Sequence, residues 1–367
     1  MPEVISLITR ELSDHSRFGN AGSLHHLGRI AEDIILEAQK SIAKRLQINP
    51  LEIYFTSGGT ESINTAIRGC LEANPRAGKH IISTGTEHKA TLEVLKYLEK
   101  SGYVVSYIPV SSSGMPDLEL LRKEIRHDTA LMTFTHVNNE TGTIMPVSEI
   151  CKIRDEMNGK TKIHLDCVQS LGKIPLSLNE WGIDFASFSG HKIHCVKGVG
   201  MLYVRKGNRI SPLMIGGGQQ RGLRSGTESP YLAKAMSLAI KMAYDDMNNS
   251  YDRVLKCKSI LLDQLVRLDA TIHSPEKACP YIINFTIGTL EPETMLHAME
   301  QEKIYISTVS ACASKSKKIS HVLLAMGIDR SIAKGALRIS LSRFTTEDEI
   351  MTASVVLGQI YDKFRLN

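Results

Sequence analysis

The sequence predicts an α/β fold: a large domain built on a mainly parallel sheet covered by helices, followed by a smaller α+β C-terminal domain. Three observations carry this. At 367 residues the chain exceeds one comfortable core. Over its first two-thirds, short apolar runs alternate with stretches of helical period, the order that builds parallel sheets with helices on both faces. After about residue 228 that alternation gives way to paired helical stretches and short strands. The expected boundaries are 15–245 for the large domain and 246–367 for the small one, with 1–14 packing near the latter.

In chain order, residues 29–46 form a helix, because Ile34, Ala38, Ile42 and Leu46 recur every four positions. EIYFT (52–56) is a buried strand, and Thr60 to Glu72 a helix. HIIST (80–84) is the next strand, followed by a helix from His88 to Lys100. YVVSYIPV (103–110), ALMTFTHV (130–137), KIHLDCV (162–168) and DFASFSGH (184–191) are further strands, with helical stretches at 117–125 and 146–158. In the second part, helices at 228–249 and 251–268 lead into strand YIINFTI (281–287) and helix 293–302. Then come strand YISTVS (305–310), helix 320–327, strand ALRISLS (336–342) and a last helix. Thr346 and Glu349 open that helix at capping-box spacing.

Composition excludes several classes. A net charge of +5 without a dense basic patch argues against nucleic acid or membrane binding. No run of about eighteen apolar residues is present, and MPEVISLITRELSDHS lacks a secretory pattern. The seven cysteines are scattered, with no CxxC pair, which fits a reducing cytoplasm and no zinc site.

In sheets of this kind ligands gather at the carboxyl ends of strands. TSGGTES (56–62) joins a strand to a helix there, and its glycines let backbone N–H groups approach an anion such as a phosphate. A tight connection would look the same. The P-loop pattern is absent, since Arg154 stands where the first glycine before Gly159-Lys160-Thr161 belongs. HLDCVQS (164–170) puts Asp166 at the end of an apolar strand, where a carboxylate needs a partner. SFSGHK (187–192) ends another strand in Lys192, a candidate Schiff-base former. Any one of these alone reads as a cap, an ion pair or a solvated lysine. Together they are the parts of a pyridoxal phosphate (PLP) site: an anchor for the phosphate, an acid for the pyridine nitrogen and an amine for the aldehyde.

The sequence resembles the cysteine desulfurases of the NifS/IscS type, within the fold-type I, class V aminotransferase-like PLP enzymes. The resemblance runs from FGNAGSLHHLG (18–28) to RISLSRFTTEDEI (338–350), through EHKATLE, HVNNETG, LDCVQSLGKIP, KGVGMLYVR, GGGQQRGLRSGT and SAC. It implies that Lys192 binds the cofactor covalently and that Asp166 pairs with its ring nitrogen. It implies that His88 stacks on the ring and handles a substrate proton, that Asn139 and Gln169 meet the ring-oxygen side, and that Gly59, Thr60, Ser189 and His191 hold the phosphate. Thr227 would reach the phosphate of a neighbouring subunit, which implies a homodimer. Arg338 would clamp the substrate carboxylate, with Asn20 near the same end. Cys312 would be the nucleophile that removes sulfur from L-cysteine, leaving L-alanine and a persulfide for an acceptor protein. Iron–sulfur scaffolds and tRNA- or cofactor-thiolating enzymes are the acceptor classes. The travelling sulfur implies an outward-swinging Cys312 segment between strand 305–310 and helix 320–327, with Lys315, Lys317 and Lys318 beside it.

The sequence departs from the family pattern at three places. An initial strand and Asp-Asn-Ala-Ala-Thr-Thr-like turn have no counterpart, which bears on substrate binding and folding of the small domain. Cys195 and Val196 replace a glycine-proline after the lysine, and Gly19-Asn20-Ala21 replaces glycine-asparagine-proline. His25, His26, His164 and His194 read as structural or surface residues, and Cys167 and Cys195 as packing. The alternatives are a selenocysteine lyase, another class V transferase, or a non-catalytic scaffold descended from the family. Cys312 speaks against transamination, which needs no thiol.

Overall fold

A computed structural model describes residues 1–288, 291–308 and 319–365. Seven strands form the main sheet: β1 (Ile53–Thr56), β2 (His80–Thr84), β3 (Val104–Ile108), β4 (Thr129–Thr135), β5 (Lys162–Asp166), β6 (Phe185–Ser189) and β7 (Gly200–Val204). Their order is β1-β7-β6-β5-β4-β2-β3. The pairings from β6 across to β3 are parallel, while β7 runs antiparallel to both β6 and β1. Strands β2, β4, β6 and β7 are buried along their whole length. That is why they read as apolar or small-residue runs rather than as alternations. The sequence signals for β1 to β6 were the apolar runs named above. β7 was missed as a strand, because GMLYV lies inside a glycine-rich motif.

Helices cover both faces. Helix His26–Leu46 buries Ala31, Ile34, Ile35, Ala38, Ile42 and Leu46, the side its four-residue period marked out. Helix Gly59–Ala73 and helix Lys89–Lys100 pack over the face holding Ile81, Leu131 and Leu202. Residues Pro2–Ser13 form a further helix. Its Val4 and Leu7 join the core of the main sheet, and it packs on helix Pro230–Asp245. Buried Glu11 ties it down, accepting from Arg17 Nη1 at 2.7 Å and Lys234 Nζ at 2.8 Å. The segment thus lies against the large unit rather than beside 246–367 as expected, because its apolar side matches the face of helix Pro230–Asp245.

A second sheet, order β10-β11-β9-β8, is wholly antiparallel. It comprises β8 (Thr271–Ile272), β9 (Ile282–Thr286), β10 (Ser307–Thr308) and β11 (Ala336–Ser340). Helices Met247–Arg267, Pro292–Gln301 and Glu347–Arg365 cover it around a core of Phe285, Met295, Leu337 and Leu357. The expected strand 305–310 starts later, at Ser307, and its last two residues lie outside the described ones. Among the described residues, no helix is long and apolar enough to cross a membrane, and no cluster of side chains suits a metal ion.

Candidate active site

The carboxyl ends of the parallel strands converge on one cavity of about 510 Å³. Register sets the arrangement: Thr135 at the end of β4 pairs with Asp166 at the end of β5, and Asp166 with Ser187 on β6. Ser189 ends β6, and the chain turns at once into the 3-10 segment Gly190–Ile193, which carries His191 and Lys192. The expected strand 184–191 stops early for that reason.

Asp166 is buried, and Val168 N–H donates to its Oδ1 at 2.9 Å. Burial pushes its carboxyl up to about 6. Among the described residues no cation pairs with it. His88 caps helix Lys89–Lys100 by accepting Ala90 N–H on Nδ1 at 3.1 Å. That bond leaves the proton of the neutral ring on Nε2. Burial, and then the charge of Lys192, hold the imidazole pKa below its ordinary value.

Where a phosphate is expected, helix Gly59–Ala73 starts at the cavity wall. A Cβ on Gly59 would stand 2.7 Å from Val168 Cγ2 and 3.5 Å from Ser189 Cβ, so only glycine keeps this approach open. Thr60, Ser189 and His191 line the same end, with Ser189 Oγ 2.9 Å from His191 Nδ1. The helix N-terminus suits a dianion there.

The small unit closes the opposite wall. Arg338, on β11, donates from Nη1 to the Asn139 carbonyl at 3.0 Å. Asn139 belongs to a turn locked by Asn138, whose Oδ1 accepts Glu140 and Thr141 N–H and whose Nδ2 donates to Thr86 O. Gln169 lines the cavity and takes a hydrogen bond from Lys173 Nζ at 2.8 Å. These residues fit PLP. A buried carboxylate wants a cationic ring nitrogen, a glycine at a helix N-terminus suits a phosphate, and Lys192 lines the same cavity.

Two expected residues stand apart. Asn20 is exposed in a turn, where its Oδ1 accepts Gly22 N–H. Thr227 lines a separate recess with Arg224 and Glu228, away from the cofactor cavity of its own chain. Cys312, with Lys315, Lys317 and Lys318, lies outside the described residues. His164 is buried between Thr133 Oγ1 and Ser187 Oγ, and Cys167 and Cys195 sit in the core.

The structure adds residues the sequence did not single out. Glu87, fully buried beside His88, accepts from Thr84 Oγ1 and Thr135 Oγ1, each at 2.7 Å. Burial first, opposed by those hydroxyls, carries its carboxyl up to about 8, so it is protonated at neutral pH. Glu140 is also buried and raised, chiefly by burial, and accepts from Ser320 Oγ. His321 Nε2 donates to the Glu87 carbonyl at 2.9 Å. The only sequence signal for these acids was their place inside EHKATLE and HVNNETG.

The chain matches the family model described as "Aminotransferase class-V" over residues 1–352. It is 39% identical to "Cysteine desulfurase IscS" of Dictyoglomus turgidum over 352 residues, 95% of this chain and 89% of that one. It is 34% identical to "Cysteine desulfurase IscS 1" of Archaeoglobus fulgidus over 364 residues, covering 99% and 94%. Among solved structures it superposes on a "NifS-like protein" with a TM-score of 0.92 at 38% identity, covering 100% and 96%. A NifS-like protein from Rickettsia africae gives 0.87 at 29%, covering 99% and 96%. The structure described as "SspA in complex with cysteine" gives 0.82 at 29%, covering 94% and 96%.

Proposed function

The chain belongs to the aminotransferase class-V family, and on that footing we propose that it is a PLP-dependent cysteine desulfurase, converting L-cysteine to L-alanine and an enzyme persulfide. The observation that carries this is the convergence of Lys192, Asp166, His88 and Arg338 on one cavity, from both units of the fold. The cofactor supplies an aldehyde for the substrate amine and a ring that withdraws electrons from Cα.

The chain's own residues do the rest. Gly59 N–H, Thr60, Ser189 and His191 hold the phosphate. Asp166, ionised above about pH 6, holds a proton on the ring nitrogen. Lys192 would hold the cofactor by its aldehyde and would take the substrate's Cα proton. Arg338 orients the substrate by its carboxylate, and Asn139 and Gln169 face the ring. His88, neutral with Nδ1 taken by Ala90 N–H, would cover one ring face and present its Nε2–H as a proton donor to the substrate. The Cys312 thiolate attacks the substrate sulfur. An S–S bond forms, the C–S bond breaks, and Cβ takes up a proton to give alanine.

The protein acts as a homodimer, with Thr227 completing the phosphate site of the partner. Thr227's position outside its own chain's cavity supports this. The persulfide goes to a cytoplasmic acceptor of the iron–sulfur scaffold or thiolation class. The test is direct: purified protein should be yellow, cysteine should change the visible band, and alanine and persulfide should appear in equal amounts. Cys312→Ala should keep the band and lose sulfide release. Normal sulfide release by that variant would overturn the nucleophile assignment.

A further inference from the structure

We propose that the cofactor cavity continues into a second subsite, formed by Lys173, Tyr281 and Arg343, that binds a carboxylate on a short carbon stem. The assignment rests on the roles just given to Lys192 and Arg338, and asks what the remaining cations of the same cavity serve. Its wall runs on past Lys192 to Lys173, Tyr281 and Arg343. Lys173 Nζ has one neutral acceptor, the Gln169 carbonyl, and lies 5.6 Å over the Tyr281 ring. Burial draws its ammonium down to about 8.

Arg343 is 13% exposed at its side chain, and among the described residues only its Nη2 approaches a carboxylate, Asp246 at 3.7 Å. Its Nε and Nη1, and the hydroxyl of Tyr281, are buried with no acceptor among the described residues. Tyr281 itself is 2% exposed. A buried donor without an acceptor costs about 1–3 kcal/mol, more for a charged group. Three such donors beside a second cation therefore call for an anionic acceptor. Ile193, Ala243 and Leu341 line the same lobe, which fits a carbon stem behind the anion. Gly59, Thr60, Ser189 and His191, not Lys173, Tyr281 and Arg343, would hold the cofactor's phosphate. The carboxylate can come from a free dicarboxylate or from an acidic side chain of a peptide, and the experiment separates them.

Holoenzyme is titrated with succinate and, separately, with a blocked Gly-Asp-Gly peptide, following melting temperature and binding heat. The Arg338→Gln variant is run in parallel, so that occupancy of the substrate's own arginine is removed. At least one probe should bind wild type and Arg338→Gln alike. The better of the two identifies the source, free acid or side chain. Arg343→Gln and Lys173→Met should each weaken that probe about tenfold or more, the loss of one charged hydrogen bond. Binding of neither probe to wild type, or undiminished binding in both variants, overturns the subsite. A holoenzyme that never shows a visible band overturns the functional proposal instead, so the two failures are told apart.

Discussion

Asp166→Asn should stabilise the cofactor-free protein while impairing the holoenzyme. In the folded chain the carboxyl is buried with a single backbone donor, and its pKa stands at about 6 against an ordinary 3.8. A raised carboxyl favours the fold only while protonated. The folded state therefore loses stability as pH climbs from 3.8 to 6, and the loss is complete above that. At about 1.4 kcal/mol per pH unit the gap is worth about 3 kcal/mol at pH 8 and about 1 kcal/mol at pH 4.5. Asparagine removes the charge and keeps a carbonyl for Val168 N–H. With an unfolding entropy of about 2.1 cal/mol/K per residue, 3 kcal/mol is about 4 °C for a 367-residue chain melting as one unit. The assay is calorimetry of protein stripped with hydroxylamine. Asp166→Asn should melt about 4 °C above wild type at pH 8, and the difference should shrink to about 1 °C at pH 4.5. A variant that melts below wild type at pH 8, or a difference that ignores pH, would refute the reasoning. With the cofactor restored the order should reverse, because the ring nitrogen loses its counter-charge.

Three further outcomes follow from the site. Lys192→Ala should bind the cofactor without the covalent link, so that borohydride no longer fixes it to the chain. Retained fixation would remove Lys192 from its role. Glu87→Gln should gain on wild type between pH 4.5 and about 8, by up to about 1.4 kcal/mol per pH unit, because Glu87 is another acid raised by burial; denaturant melts across that range check it. Arg338→Lys should raise KM for cysteine at least about tenfold, with a smaller change in kcat, because an ammonium cannot offer the two-pronged contact of a guanidinium. Steady-state alanine formation measures this.

The parts of the molecule legible from sequence were those where one physical rule acted alone. Helix His26–Leu46 announced itself by period, and β2 and β4 by short runs that are buried along their whole length. The strand-end residues Asp166 and Lys192 were legible because a parallel sheet puts ligands where its strands stop. β7 was not, since GMLYV follows glycines whose purpose appears only in space: a Cβ on Gly200 would lie 2.5 Å from Gly58 Cα. Nor were Glu87 and Glu140, because a glutamate in a polar stretch gives no sign that Thr135 or Ser320, far along the chain, will reach its carboxyl. The donors of Tyr281 and Arg343 were equally silent, since only folding brings residues 173, 281 and 343 to one lobe.

The turn at Asn138–Thr143 belongs to the large sheet but is gripped mainly by the small unit. Arg338 holds the Asn139 carbonyl, Asn284 the Glu140 carbonyl, Cys279 N–H the Gly142 carbonyl and Ser320 the Glu140 carboxylate. The arginine assigned to the substrate is therefore also a rivet between the two units. Substrate affinity then works as a caliper of their alignment. Lesions far away in the small core, at Leu337 or Phe285 for instance, should register first as weaker cysteine capture, while the colour and chemistry of the cofactor end stay as they were.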